Sequence, residues 1–232
     1  MKKIIYFLLA AMLYLPVNSQ AQSAKGKIIY VLRTNYKDRE TDEKVKQHIE
    51  SLGYTVSFAD ESEPASKADG YDLVIISSTV SSQQLAGKYA DVKIPVLMWE
   101  NDILDDMRYT GKHKNVDFGE VEKEHYIWMV NAPHPLSGGI AAGMIAVYPK
   151  DQTMGWGKPG LGATIIATLP GQPDKAVIFG YEKGATMDYD FLAPARRVMI
   201  FLDNTTFTAL NKNGLTLFDA AIKWAIERKG VN

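Results

Sequence analysis

The sequence predicts an α/β fold: a three-layer, doubly wound, mostly parallel sheet with a strand-rich C-terminal half. Three observations carry this. Residues 73–76 (LVII) and 94–98 (IPVLM) are short continuous apolar runs, which fit strands buried on both faces, as parallel strands are. A polar segment of helical length lies between them, and strand and helix patterns alternate through the chain before it. Residues 144–181 then change character, with the runs MIAVYP, ATIIATL and KAVIFGY separated by Gly and Pro.

Taken in order, residues 27–33 (KIIYVLR) read as the first strand. Residues 40–52 place Val45, Ile49 and Leu52 at helical spacing among charged residues, and Gly53 stands where a helix ends. Residues 54–59 (YTVSFA) alternate as a second strand, and the acidic loop after them has room for a short helix. Residues 102–121 are polar and aperiodic, the kind of long connection that is more often functional than incidental. Residues 125–130 (HYIWMV) read as a further strand, leading into Asn131-Ala132-Pro133-His134-Pro135. The PGQPD stretch after Leu169 signals a hairpin with a loop of about five residues, so the strands around it are expected to be antiparallel. Residues 197–202 (RVMIFL) return to a buried-strand pattern, and residues 210–228 close the chain as an amphipathic helix.

Composition sets limits on function. The chain has 232 residues, 46% hydrophobic and 23% charged, enough for a sizeable core. A formal net charge of -1 without a Lys/Arg block argues against nucleic acid as a partner. The absence of cysteine excludes disulfides, thiolate metal sites and a cysteine nucleophile together. Lys2 and Lys3, the apolar stretch 4–15 and Ser19-Gln20-Ala21 have the form of a signal peptide covering residues 1–21. Residues 22–232 are then expected to form a single domain, secreted to the periplasm or the extracellular space and off the membrane once the leader is removed. No Walker loop or GxGxxG is present, so no nucleotide cofactor is expected.

In an open α/β sheet, ligands bind beyond the carboxyl ends of the strands. Those ends carry Ser77, Ser78, Thr79, Ser81 and Ser82 on one side and Trp99, Glu100, Asn101 and Asp102 on the other. A carboxylate at position 100 can accept a proton, bind a sugar hydroxyl or hold a cation; it equally suits an exposed acid that caps the next turn. The hydroxyl cluster fits helix capping for the most part, with one or two groups left for a ligand. No G-x-S-x-G elbow surrounds these serines. His134, between two prolines, suits a general base, a metal ligand or a surface turn. The four histidines lack zinc-type spacing, so no metal is expected. Trp156, between Gly155 and Gly157, offers a stacking face for a sugar ring or a plug for the core. Asp203 and Asn204 follow a buried strand and join the same rim.

The segments DLVIIS, IPVLMWE, HPLSGGI and AVIFGYEKG, in this order after βαβ units, resemble the class I glutamine amidotransferase-like fold and, within it, the ThuA-like proteins. Together with APARRVMIFL and the helix LFDAAIKWA they are also similar to an uncharacterised module of secreted bacterial proteins, often found beside carbohydrate-related and adhesive domains. The resemblance implies a flavodoxin-like or amidotransferase-like sandwich. Catalytic amidotransferases carry a cysteine on the turn after the strand that IPVLMWE occupies; here that turn reads Trp99, Glu100, Asn101, and glutamine hydrolysis by that route is excluded.

Three functional readings follow. The first is a non-catalytic module that binds a small polar ligand or a glycan through Ser77, Ser78, Trp99, Glu100, Asn101, His134, Trp156, Asp203 and Asn204. The second is a ThuA-like sugar-processing or hydrolytic enzyme with Glu100 and His134 as an acid/base pair. The third is a structural or adhesive domain whose polar strand ends only cap helices.

Overall fold

The computed structural model describes residues 25–227. The expected signal peptide lies outside the described residues. Within them, eleven strands form one mixed sheet. Lys27–Leu32 (β1), Thr55–Asp60 (β2), Leu73–Ile76 (β3) and Val96–Met98 (β4) come first, each dominated by apolar or β-branched residues. Phe118–Glu124 (β5), Tyr126–Met129 (β6), Gly143–Ala146 (β7), Gln152–Gly157 (β8), Thr164–Leu169 (β9), Gln172–Tyr181 (β10) and Arg197–Ile200 (β11) complete it. The sheet order is β2-β1-β3-β4-β11-β10-β9-β6-β7, with β8 pairing β10 and β5. Strands β2, β1, β3, β4 and β11 are mutually parallel, and β10, β9, β6 and β7 continue by antiparallel pairing.

Helix Arg39–Ser51 (α1) buries Val45 and Ile49, and helix Lys212–Ile226 (α3) buries Leu217, Phe218, Ala221, Ile222 and Trp224 against the same face of the sheet. Asn211 caps α3 by accepting from the N–H groups of Asn213 and Gly214, which satisfies two of its otherwise unpaired donors. The opposite face is covered by irregular chain rather than by full helices. Leu85, Tyr89, Ile103, Leu104, Met107 and Tyr109 pack there.

The expected connection between β3 and β4 is a full helix, but only one turn forms, Ser82–Leu85 (α2). Ala86 breaks it at a φ of 42°, and Gly87 then passes so close to the Asp106 carbonyl that a Cβ there would sit 2.7 Å from it. The β9–β10 hairpin is tighter than the sequence implies. Its turn is Pro170-Gly171, with Gly171 at a φ of 70° and Pro173 taken into a strand whose register shifts nearby. Two strands were not predicted: β5 begins inside the polar, aperiodic stretch 102–121, and β8 contains Gly155-Trp156-Gly157.

An aromatic cluster joins the layers on the α1/α3 side. Phe218 lies 5.0 Å from Phe207, 5.9 Å from His48 and 6.0 Å from Trp99, and Trp99 lies 5.8 Å from Tyr30. Phe218 is fully buried. Truncating it by Phe218→Ala removes an aromatic ring that no neighbour can replace, so urea denaturation is expected to show a loss of about 3–5 kcal/mol. A loss within about 0.5 kcal/mol would mean that the cluster does not hold the layers together.

Candidate functional site

The parallel strands end on one edge, and their carboxyl ends enclose a polar cleft of about 420 Å3. Its lining includes Arg33 and Tyr36 after β1, residues 78–83 after β3, Glu100, Asn101 and Asp102 after β4, Glu120 on β5, and Asp203 and Asn204 after β11. The volume falls in the range of small-molecule sites. A wider groove of about 620 Å3 at the opposite end is lined by Lys25, Tyr54, Pro135, Asp219 and Lys223 among others, and no buried carboxylate faces it.

Glu100 is the centre of the cleft. It ends the extended run of β4 and N-caps a 3-10 turn over Asn101–Ile103, its Oε1 accepting from the Asp102 N–H at 2.9 Å. It is a cap, yet not the exposed one that a solvated strand end would supply, since only 6% of it is accessible. Asn101 is 5% exposed, and its Nδ2 has no hydrogen bond of normal length among the described residues although its amide lies toward Glu120. Strand β8 covers Asn101, Gly155 lying within van der Waals contact of its Cβ. Asp102 pairs with Lys114 at 2.7 Å.

The hydroxyl cluster does a different job from the capping expected of it. Ser77 Oγ donates to Asp42 at 2.7 Å and Thr79 Oγ1 donates to the same carboxylate at 3.0 Å, with the Tyr30 hydroxyl as a third donor. Asp42 is buried in α1, beneath this loop, so the hydroxyls are tied to a buried acid. Ser81 stands at the N-cap position of α2 without a side-chain cap bond; its N–H instead donates to Glu61. Glu61 also accepts from Arg33 Nε at 2.8 Å. Ser78, Ser81 and Ser82 line the cleft, and the Ser78 hydroxyl is buried there without a partner among the described residues.

The structure therefore brings Ser78, Glu100, Asn101, Asp203 and Asn204 together and separates the other candidates from them. Ser77 is beneath the loop, bonded to Asp42. Trp99 points into the aromatic core and is 3% exposed, leaving no face for a ligand. Trp156 is equally buried, on β8, with Lys175 Nζ 4.7 Å from its ring centroid, so it is a core plug rather than a stacking platform. His134 is at the other end of the sheet. Strand β6 runs antiparallel to β11, so the chain leaving β6 emerges at the amino end of β11. There the His134 ring packs 5.4 Å from Trp224, whose carbonyl is held by Arg196 at the start of β11. The length of β11, roughly 13 Å at 3.3 Å per residue, separates it from the Glu100 end. The expected Glu100–His134 acid/base pair is not assembled.

Arg33, Tyr36 and Glu120 reach the cleft without having been singled out from the sequence. Arg33 follows a strand end as directly as Glu100 does, and that position was its available signal. Glu120 had none, because β5 reaches the site only by pairing with β8.

Three carboxyls of the cleft are shifted upward. Burial pushes Glu100 up to about 8; the Asp102 N–H opposes this, and the neighbouring Asp102, Glu120 and Asp203 add to it. Burial raises Glu120, with Asp203 and Asp102 contributing. Burial also raises Asp203, with Asp38 adding to it. At neutral pH Glu100 is a carboxylic acid and thus a hydrogen-bond donor. Among the described residues no three acidic or histidine side chains converge closely enough to hold a metal ion.

Comparison with known proteins places the fold. No protein-family model and no curated protein matches the chain. Among solved structures, it is similar to a GMP synthase-like protein from Thermoplasma acidophilum, at 13% identity and a TM-score of 0.53, over 85% of this chain and 92% of that one. It is also similar to a ThuA-like protein from Parabacteroides merdae, at 13% identity and a TM-score of 0.51, over 89% and 91% of the two chains. The fold is therefore that of the class I amidotransferase-like and ThuA-like proteins, strand-rich as expected.

The pH dependence of stability follows from Glu100. Its carboxyl is near 4.5 in an unfolded chain and about 8 in the fold, so between those values the folded state holds a proton that the unfolded chain has released. Stability therefore falls as pH rises through this window, by at most roughly 5 kcal/mol from this group. Thermal melts of the wild type are expected to drop steadily from about pH 5 to pH 8. Glu100→Gln keeps an acceptor for the Asp102 N–H and removes the titration, so its melts should be flatter and higher at the alkaline end. A variant curve parallel to the wild type would show that Glu100 does not carry the proton.

Proposed function

We propose that the chain is a secreted, non-catalytic amidotransferase-like module that binds a small polar ligand or a glycan in the cleft at the carboxyl ends of β3, β4 and β11. One observation carries the reading. Glu100 and Asn101 are more than nine-tenths buried, yet both line an open polar cleft, and the Asn101 amide closes no normal hydrogen bond among the described residues. Burying an amide nitrogen without a partner costs about 1–3 kcal/mol, and the Asn101 Nδ2 is such a group among the described residues, directly beneath the cleft. The purely structural reading has every polar strand end consumed in caps, whereas Ser78 Oγ, Asn101 Nδ2 and Asn204 Oδ1 are not. The enzymatic reading through Glu100 and His134 loses its geometry.

A thermal-shift screen of the purified protein against mono- and oligosaccharides tests the proposal. A ligand that binds only the folded state adds about 2.7 kcal/mol at a hundredfold excess over its Kd. At least one sugar is expected to raise Tm, and Glu100→Gln should abolish or sharply reduce the rise. A sugar response unaffected by changes at Glu100, Asn101 or Asp203 would place binding elsewhere and overturn the reading. Secretion has its own check. Expressed from its own start codon in a bacterial host, the exported protein is expected to begin at Gln22 by N-terminal sequencing; an exported protein still carrying Met1 would overturn leader removal.

A further inference from the structure

An open sheet edge is a template for pairing with another chain, and proteins normally guard it with charge, proline or covering chain. Among the described residues three strands here have a single partner: β2, β5 and β7. Two of the three are guarded. Arg39 and Lys46 each lie 5.0 Å from the Phe58 ring on β2, and β5 carries Glu120, Glu122, Lys123 and Glu124. Strand β7 has no such guard. It reads GMIA, and the whole stretch 125–149 contains no Lys, Arg, Asp or Glu. At the chain's average of 23% charged residues, a stretch of that length would hold about six. The edge is also chemically open. The Val147 N–H donates to the His125 carbonyl at 2.9 Å, so residues 143, 145 and 147 turn their main-chain groups to β6 while Met144 and Ala146 turn theirs outward. The Ala146 carbonyl is met there by the side-chain amides of Asn211 and Asn213 at 3.0 and 3.1 Å. The N–H and carbonyl of Met144 have no strand beside them among the described residues. The Met144 side chain is 57% exposed and stands opposite Trp128, itself 47% exposed, on the same outer face as Tyr126 and Val130.

We propose that β7 is a dimerisation edge, which pairs antiparallel about a two-fold axis with β7 of a second copy of this chain. Charge selects the occupant. A two-fold contact sets each residue against its own copy or a near neighbour, so a charged edge repels itself. Edges β2 and β5 would bring like charges together, and β7 brings none. The axis falls at Met144. The Ala146 carbonyl is already engaged, whereas Met144 has both main-chain groups to give and exchanges two hydrogen bonds with Met144 of the second copy. The pairing of Trp128 with Met144 then continues across the axis, giving a row of Trp128, Met144, Met144 and Trp128 over four strands about 4.8 Å apart. Each Met144 side chain, exposed in the single chain, is covered by its counterpart and packs beside Trp128 of its own chain. Strand β11 lies four strands from β7 in the sheet order, so the dimer leaves both clefts open.

Sedimentation velocity of the purified protein, in a concentration series up to about 200 μM, reads the association. A concentration-dependent monomer–dimer equilibrium is expected, and a monomer throughout would overturn the proposal. Met144→Lys sets two ammonium groups opposite each other and is expected to raise the dissociation constant at least roughly tenfold. Its Tm and circular dichroism should stay close to the wild type, because the side chain faces solvent in the single chain. A dimer unaffected by this change would overturn the placement at β7. Cross-linking tests the pairing independently of that variant. The chain has no cysteine, so Met144→Cys introduces a single thiol. Opposed residues of a hydrogen-bonded antiparallel pair have Cα atoms about 5.5 Å apart, within disulfide reach. Oxidation with diamide is expected to convert most of Met144→Cys to a covalent dimer and to leave Val116→Cys, a similarly exposed position on the turn before β5, as monomer. Packing of two outer faces through Trp128 would instead hold the sheets about 10 Å apart, out of disulfide reach. Absence of the cross-link in Met144→Cys, or equal cross-linking of both cysteine variants, would overturn edge pairing.

Discussion

Arg197 fixes the geometry on which the cleft depends. It is fully buried at the start of β11, and among the described residues no carboxylate pairs with its guanidinium. Its NH groups donate instead to the main-chain carbonyls of Ala90, Val92 and Ile94, in the loop that leads into β4, at 2.7–3.1 Å. Arg197 is thereby tied to the entry of the neighbouring strand, and β4 and β11 pair in register from Arg197 and Val96 onward. Two strands locked at their amino ends, with the same rise per residue, must finish level at their carboxyl ends. That is how Glu100 and Asp203 come to share a rim. A guanidinium suits the position because several donors in a fixed fork can reach several carbonyls, which an ammonium on a flexible stem does less well.

The cleft itself is costly to maintain. Glu100 is buried in a setting that disfavours its charge, next to acids that disfavour it further, and it weakens the fold at neutral pH because the unfolded chain ionises freely there. The surrounding structure absorbs this by holding the loops around the acid in place. Asp42 gathers Tyr30, Ser77 and Thr79 beneath the β3 loop, and Glu61 gathers Arg33 and Ser81 beside it. A site that lowers stability while its neighbours are built to keep it rigid is the pattern expected where function is selected over stability.

How much of this could be read from the sequence depended on whether a pattern encodes direction as well as type. The strand LVII of β3, the α1 spacing of Val45 and Ile49, and the terminal helix were legible because burial on a known period marks them. Glu100 was legible as the residue following a buried strand. Strands β5 and β8 were not: FGEVEKE carries little apolar signal, and the glycines flanking Trp156 interrupt the apolar pattern of β8, Gly157 serving a close approach to Thr110. Trp99 and His134 show the deeper limit. Position next to polar residues does not say which side a side chain takes, and a strand pattern does not say which way the strand runs. The antiparallel direction of β6, set by pairing with β9, is what sends His134 to the far edge.

The turn after β4 is where register, burial and chemistry meet. By its resemblance to amidotransferases this is the turn on which a cysteine is expected, and the chain has none. Here the side chain of Glu100 folds back and takes the Asp102 N–H for itself, so the turn uses that donor internally. The same bond leaves the second oxygen of Glu100 as the group available to the cleft. Without a cysteine the turn offers no thiol, and it presents a buried, self-capping acid at the mouth of a polar cleft. The strand register is held by Arg197 at the far end, so the residues of this turn can differ without moving the strand that presents them.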